Sequence, residues 1–223
     1  MLDLRSNQNK QVTPLNVAIR NRRATQGFKP DEVPEEILNE ILESSLLAPS
    51  GYNLQPWRFI VVKDADSRKR LRAVAMNQPK VEEAPVVVIA CADPNSWKTD
   101  IERVIKLGQE AGQIKDDKSA DFIRTNANKY LSSIDTKVWA TKQTMIAFTH
   151  MMLLSETFGL DTAPMEGFFE DQVKKEFQIP DDLIVLALLA IGYAGKPDRP
   201  FGGRFDLGDL ISLDKFGMPY VAS

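Results

Sequence analysis

Residues 48–59 read A-P-S-G-Y-N-L-Q-P-W-R-F, and the elements on either side give this loop its meaning. Upstream, Pro34 to Leu47 places Ile37, Leu38, Ile41, Leu42 and Leu46 at helical spacing, and downstream Trp57 to Val62 is a short β-rich run. Between them, Pro49 and Pro56 fix φ and lack an N–H, while Gly51 is free to take a positive φ. Ser50, Asn53 and Gln55 supply a hydroxyl and two amides, which donate or accept but carry no charge. Such groups suit a neutral, flat, heteroatom-rich ligand such as a flavin ring or ribityl chain. Taken alone, they suit an ordinary polar connection equally well, with Asn and Ser satisfying the backbone of the turn.

The bulk properties narrow the field. A chain of 223 residues, 43% hydrophobic and 26% charged, is sized for one substantial core and has the composition of a soluble globular protein. A net charge of −3 argues against general affinity for nucleic acid or an anionic membrane. The one cysteine, Cys91, has no intramolecular disulfide partner, and no signal peptide or membrane-length apolar run is evident, so a reducing, cytoplasmic location is expected. One His and one Cys are too few for a Cys- or His-rich metal site. G-x-S-x-G, P-loop and G-x-G-x-x-G patterns are missing, which leaves hydrolase and dinucleotide-fingerprint readings without a motif. His150, among Met151, Met152, Leu153 and Leu154, and Cys91, at the end of an apolar run, read as packing residues.

Periodicity predicts one α+β domain over residues 1–223, with residues 1–12 loosely held. Thr13-Pro14 reads as an N-cap and first helical position, opening a helix to Arg20. Asp66 to Ala75 reads as a charged surface helix, and Pro85 to Cys91 and Leu183 to Ile191 as core strands. Asp100 to Gly112 has helical spacing, and Asp116 to Tyr130 is a polar helix or flap. Thr136 to Phe158 is the longest helical pattern, capped by Asp135 and ended by Gly159. Its apolar residues wrap most of the way round, so it is expected to be central or covered by a partner subunit. Glu170 to Phe177 is a further short helix, and Leu207 to Leu213 a final extended segment.

Four stretches could carry chemistry. Arg20, Arg22 and Arg23 form a basic knot ahead of Phe28, either a solvated turn or an anion site of forked guanidinium donors. Asn77-Gln78-Pro79-Lys80 precedes a core strand and reads as plain surface on sequence alone. Pro164-Met165-Glu166-Gly167-Phe168 follows the long helix and brings a glycine where main chain can approach a flat ring. Arg199 and Arg204 lie beyond the last core strand.

In this order, these stretches and the 48–59 loop resemble the FMN-dependent nitroreductase family, with the match running from about Val17 to Leu213. The resemblance implies a nitroreductase-like fold, a central mixed but mainly antiparallel sheet flanked by helices, in an intertwined homodimer. Residues 207–223 would cross to the partner, and FMN would lie at the subunit interface, held by both chains. By the same resemblance, Arg22, Arg23, Ala24 and Gln26 face the FMN phosphate and nearby ring edge. Pro49, Ser50, Asn53 and Gln55 contact the flavin, and Asn77 and Lys80 its pyrimidine edge. The main chain of Pro164, Met165, Glu166 and Gly167 lies against the ring, and Arg204, with Arg199 as a competitor, meets the phosphate. Trp139 and Gln143 match a further family pattern, Trp139 as packing and Gln143 as a neighbour of the site. Ala24, Gln26 and Gly202 depart from the family's usual Ser and basic residues. Because a cation stabilises charge near flavin N1 and O2, Gln26 implies a lower flavin potential than in relatives with lysine there.

The implied activity is an NAD(P)H oxidoreductase in which FMN carries the chemistry and no protein residue is catalytic. NADH or NADPH would deliver hydride to flavin N5, and a nitroaromatic, quinone or other flat acceptor would leave with it in a ping-pong cycle. Phe122 and Tyr130, in the polar flap, are the expected acceptor contacts. A flavin carrier or sensor with little turnover, or another flavin reaction such as dehalogenation or flavin breakdown, is the alternative.

Overall fold

The structure, a computed structural model, describes residues 12–221. In chain order its elements are α1 (Leu15–Asn21), α2 (Glu35–Ser45), β1 (Trp57–Val62), α3 (Ala65–Val74), α4 (Pro79–Glu83), β2 (Val86–Ala92) and α5 (Ser96–Thr99). There follow α6 (Ile101–Glu110), α7 (Asp117–Leu131), α8 (Thr136–Thr157), β3 (Asp161–Met165), α9 (Glu170–Phe177), β4 (Ile184–Gly192) and α10 (Leu207–Leu210). Apart from Val12, the N-terminal segment expected to be loose lies outside the described residues.

The strands form one sheet in the order β1-β2-β4-β3, each neighbouring pair antiparallel. A parallel contact enters through the isolated bridge between Ala24 and Thr162. Every residue of β2 is buried, as its unbroken apolar run predicts. Alternation divides its side chains between the two faces. Val87, Ile89 and Cys91 join Leu71, Val81 and Val173 from α3, α4 and α9. Val86, Val88 and Ala90 join Leu38 and Ile41 of α2 with Phe148 and Met151 of α8. Each such aliphatic side chain removed to alanine costs about 2–5 kcal/mol, so the sheet is a firm base for its loops. Pro164 is accommodated because β3 is an edge strand, where its missing N–H can face away from the ladder.

Helix α8 spans 22 residues, roughly 33 Å, and links the two ends of the sheet. The Asp135 carboxylate caps it by accepting from the Lys137 and Val138 amides at 2.9 and 3.2 Å, and Gly159 ends it at φ +76°. Two expectations need correcting. Pro14, not Thr13, occupies the N-cap of α1, and the Thr13 amide instead donates to Thr157 O at 2.8 Å, tying the chain to α8. Leu207 to Leu213 is not extended: α10 takes up Leu207–Leu210, and only then does the chain form a bridge from Ser212 to Pro219. Leu207 and Leu210 are one helical turn apart, a spacing equally compatible with a short helix.

Apolar side chains in solvent include Leu15 and Ile19 on α1, Val138 on α8, and Phe205, Leu210, Phe216 and Met218 in the C-terminal segment. A cleft of about 410 Å³ lies beside β1, lined by Leu42, Leu46, Trp57, Phe59, Leu107 and Met151 among others. Strand β1 is the outer strand on that side, so its free edge borders the cleft.

Candidate functional site

At the end of the sheet where β4 finishes, the basic segment folds against the strands. Thr25 N donates to Thr162 O at 3.0 Å, Lys29 N to Tyr193 O at 2.9 Å and Gly195 N to Gly27 O at 2.8 Å. This pairing fixes Arg22, Arg23, Ala24 and Gln26 along the edge. Arg22 is half-buried, and its Nη1 is buried with no hydrogen-bond partner among the described residues. Arg23 donates to the Arg20 and Arg22 carbonyls, both at 2.8 Å, and its guanidinium lies 4.5 Å from the centre of the Phe201 ring. Arg204 approaches the same ring at 5.1 Å. Two cations over one phenyl ring bring the C-terminal segment back to the arginine knot. The Gln26 amide is turned inward onto Ala24 O at 2.7 Å.

Helix α4 stands beside this segment. Glu83 accepts from Phe28 N at 3.3 Å and pairs with Lys196 at 3.5 Å. Lys80, on the same helix, is held below the ordinary lysine range by burial, with the charge of Arg199 adding to the effect. The two competitors from the sequence therefore separate: Arg204 stands with Arg23, and Arg199 acts on Lys80. Asn77 takes a positive φ of 52° and accepts from Arg72 Nε at 2.8 Å.

The turn after β3 is tied to the same region. Gln78 Nε2 donates to Gly167 O at 2.8 Å. A Cβ on Gly167 would sit 3.1 Å from that nitrogen and 3.4 Å from Met76 Sδ, so glycine lets the two turns close together. Among the described residues, neither the Glu166 nor the Gly167 amide donates to a protein acceptor. Met165 and Ala163 are buried, Pro164 is half-buried, and the Glu166 side chain is in solvent.

Pro49, Ser50, Asn53 and Gln55 lie elsewhere. Their loop precedes Trp57, which pairs with Ala92, and Ala92 pairs with Ile184 at the start of β4. The arginine knot lies by Gly192 at the end of β4, roughly 25 Å along a strand of nine residues. The structure thus brings the predicted residues together as two groups at opposite ends of one sheet. Within the loop, Tyr52, Asn53 and Gln55 all take positive φ, at 55°, 56° and 47°. Such strain in side-chain-bearing residues gathers at functional sites. Ser50 Oγ accepts from Gln55 N at 3.0 Å, Gln55 Nε2 donates to Asn53 O at 3.1 Å, and Gly51 N donates to Gln143 Oε1 of α8 at 2.8 Å.

Helix α7, the predicted flap, is fixed by its Asp116 cap and by buried Ala120, Ala127 and Leu131. Tyr130 faces Tyr52 with ring centroids 6.4 Å apart, which brings this acceptor candidate to the loop, while Phe122 is largely exposed.

Among the described residues, the one cysteine is not arranged as a nucleophile. Burial pushes the Cys91 thiol up to about 11, with Lys174 opposing and Glu170 reinforcing the shift, so it stays protonated and inert at neutral pH. Among the described residues, no group of His, Cys, Asp and Glu could hold a metal ion. The geometry offers cations, main-chain amides and amide side chains, groups chemically able to bind an anionic, flat ligand.

The model of the Nitroreductase family matches residues 19–193. The chain belongs to the nitroreductase family. A protein of Thermus thermophilus named NADH dehydrogenase is 35% identical over 189 residues, covering 85% of this chain and 91% of its own. Protein DrgA of Synechocystis sp. is 27% identical over 205 residues, covering 89% and 95%. A protein of Exiguobacterium sibiricum solved in complex with FMN superposes with a TM-score of 0.83 at 24% identity, covering 92% of this chain and 99% of that one. At that identity the likeness establishes a nitroreductase-like fold, and the α+β arrangement here agrees with it.

Three residues near the groups escaped the sequence reading. Tyr52 carries the strained turn, yet no local pattern marks a positive φ at tyrosine. Arg58 donates to Gln55 O at 3.1 Å and to Asp93 and Asp100 at 3.1 and 2.6 Å, bracing the loop through residues distant in sequence. Glu156, near the end of α8, is the third: burial and the charge of Asp161 push its carboxyl up to about 7.

Proposed function

We propose that this nitroreductase-family protein is an FMN-dependent NAD(P)H oxidoreductase that works as a homodimer on flat, electron-poor acceptors such as nitroaromatics or quinones. The observation that carries the reading is the buried Nη1 of Arg22, which has no partner among the described residues and adjoins in sequence Arg23, whose guanidinium shares the Phe201 ring with Arg204. A buried guanidinium nitrogen without an acceptor is costly, and a phosphate monoester would supply that acceptor. The Glu166 and Gly167 amides, without a protein acceptor among the described residues, and a glycine where a Cβ would crowd Gln78 Nε2 at 3.1 Å, fit a ring laid on that main chain.

The residues therefore fit FMN. Arg22, Arg23 and Arg204 would hold its phosphate, and Lys80, Asn77, Pro164, Met165, Glu166 and Gly167 would line its ring. When bound, FMN would accept hydride from NADH or NADPH and pass reducing equivalents to the second substrate in a ping-pong cycle. The protein orients the ring on fixed amides, places positive charge where negative charge develops, and keeps water off one face. Pro49, Ser50, Asn53 and Gln55 would complete the site from a second copy of the chain, because they lie at the far end of the sheet in their own copy. The exposed apolar side chains of α1, α8 and the C-terminal segment supply surface for such a partner. Residues 207–221 would cross over, and the cleft beside β1 is a surface they could cover.

The test is anaerobic reduction of the FMN-loaded protein by NADH and by NADPH, followed by a quinone. Bleaching of the flavin band within the dead time of a turnover, and its return with quinone, supports the enzyme. Bound flavin that neither nicotinamide reduces would make the protein a carrier instead.

A further inference from the structure

Glu156 borders the arginine knot without belonging to it. Its carboxylate accepts from Thr162 Oγ1 at 3.2 Å, and Thr162 is fully buried on β3. The main chain of the same threonine carries the basic segment: Ala24 forms a bridge with it, and Thr25 N donates to Thr162 O at 3.0 Å. Further back, Thr13 N donates to the carbonyl of Thr157, the residue after Glu156, at 2.8 Å. Residues 13–25 are thus tied at both ends to groups that flank Glu156. Arg22 lies between the ties, within about 7 Å of chain from Ala24. Its Nη1 is buried, so the guanidinium is turned into this junction, and no acceptor among the described residues, Glu156 included, occupies that nitrogen.

The charges around this carboxyl set the sign of the coupling. Burial, then Asp161 of β3, pushes it up to about 7, and Asp198 of the C-terminal segment adds to this, while Thr162 and Arg22 oppose it. Asp161 is itself engaged, accepting from Ala194 N at 2.7 Å. A phosphate on Arg22 would neutralise the one cation that favours ionised Glu156, and would add the repulsion of its own negative charge. Both effects make Glu156 hold its proton more tightly. By reciprocity, ionised Glu156 opposes the phosphate to the same extent.

We propose that Glu156 is a proton-linked positioning residue of the phosphate site: protonated, it leaves the Arg22 guanidinium to the FMN phosphate, and ionised, it competes with that phosphate for Arg22. This rests on the FMN reading above. It goes beyond that reading by making cofactor affinity depend on pH, through a residue outside the set that would hold the cofactor.

Flavin-free protein is titrated with FMN and with riboflavin from about pH 7 to about pH 8.5, a range in which the phosphate is already dianionic. If the phosphate tightens the Glu156 proton about tenfold, wild-type FMN affinity falls about fourfold across this range while riboflavin affinity stays level. Glu156→Gln stays neutral and keeps an acceptor for Thr162 Oγ1, so it should hold the tighter, low-pH affinity throughout. Calorimetry in buffers of different ionisation heat should find about half a proton taken up per FMN by wild type near about pH 7.5, and none by the variant. A merely structural glutamate would produce neither the slope nor the uptake. Level FMN affinity in wild type, or the same slope in Glu156→Gln, would overturn the proposal and leave the cofactor reading intact. An equal slope with riboflavin would place the titrating group away from the phosphate and also overturn it. Wild-type protein that takes up no FMN would defeat the cofactor reading, and this proposal with it.

Discussion

The guanidinium of Arg22 is partly buried, and among the described residues its Nη1 has no acceptor. Leaving such a donor unsatisfied costs about 1–3 kcal/mol. Arg22→Met should therefore hold or raise the melting temperature of flavin-free protein. It should weaken FMN binding by about tenfold or more, the worth of a charge-assisted bond, and spare riboflavin. Calorimetry and paired titrations would check both. Glu156 behaves differently. Its carboxyl is pushed up to about 7 by burial first and Asp161 second, with Asp198 adding to the shift, while Thr162 and Arg22 oppose it. An acid with a raised folded pKa binds its proton more tightly when folded. Its contribution is thus present below the unfolded value near 4.5 and is lost as pH rises through about 7. Because the group is half-buried, the loss should be on the order of 1 kcal/mol. Glu156→Gln should flatten thermal stability between those two pH values, and an unchanged slope would assign it elsewhere. None of this is visible in the sequence, where Glu156 is a polar residue near the end of an apolar helix. Its environment comes from Asp161 and Thr162 of β3, from Arg22 just past α1, and from Asp198.

At the scale of elements, the 48–59 loop is held from three sides: by Gln143 on α8, by Arg58 across to α6, and by Tyr130 on α7. Its three positive-φ residues store strain that these contacts offset. Gln143→Leu removes the acceptor for the Gly51 amide, costing about 1 kcal/mol locally. Faster hydrogen exchange at residues 50–55 and about a tenfold fall in kcat/KM should follow if the loop positions the ligand. A fall in stability alone, with kinetics unchanged, would count against that role. Helices and core strands were legible in the sequence because their signals are local: the spacing of Leu38 and Ile41, the unbroken run in β2, Asp135 and Gly159 at the ends of α8. Helix α10 was not, because Leu207 and Leu210 at helical spacing run straight into Ile211 and Leu213 at strand spacing, and seven residues are too few to separate the two periods.

For the whole molecule, the order of the motifs was legible but their distribution in space was not. Sequence placed Ser50 and Arg22 in one list of ligands; register places them at opposite ends of a sheet. Only pairing between distant strands reveals this separation, roughly 25 Å along β4. The exposed side chains of the C-terminal segment, Phe216 and Val221 among them, belong to the same account, since a lone chain leaves them without a covering surface. Mixing two inactive variants tests this most directly. Flavin-free Arg22→Met and Asn53→Ala chains, each weak in FMN uptake alone, are co-refolded and titrated with FMN. If each site draws its arginines from one chain and its loop from the other, every hybrid dimer has one intact site, and tight FMN uptake returns to that fraction of sites. If both groups served a site within a single chain, every site would keep one lesion, no tight uptake would return, and the account would be contradicted.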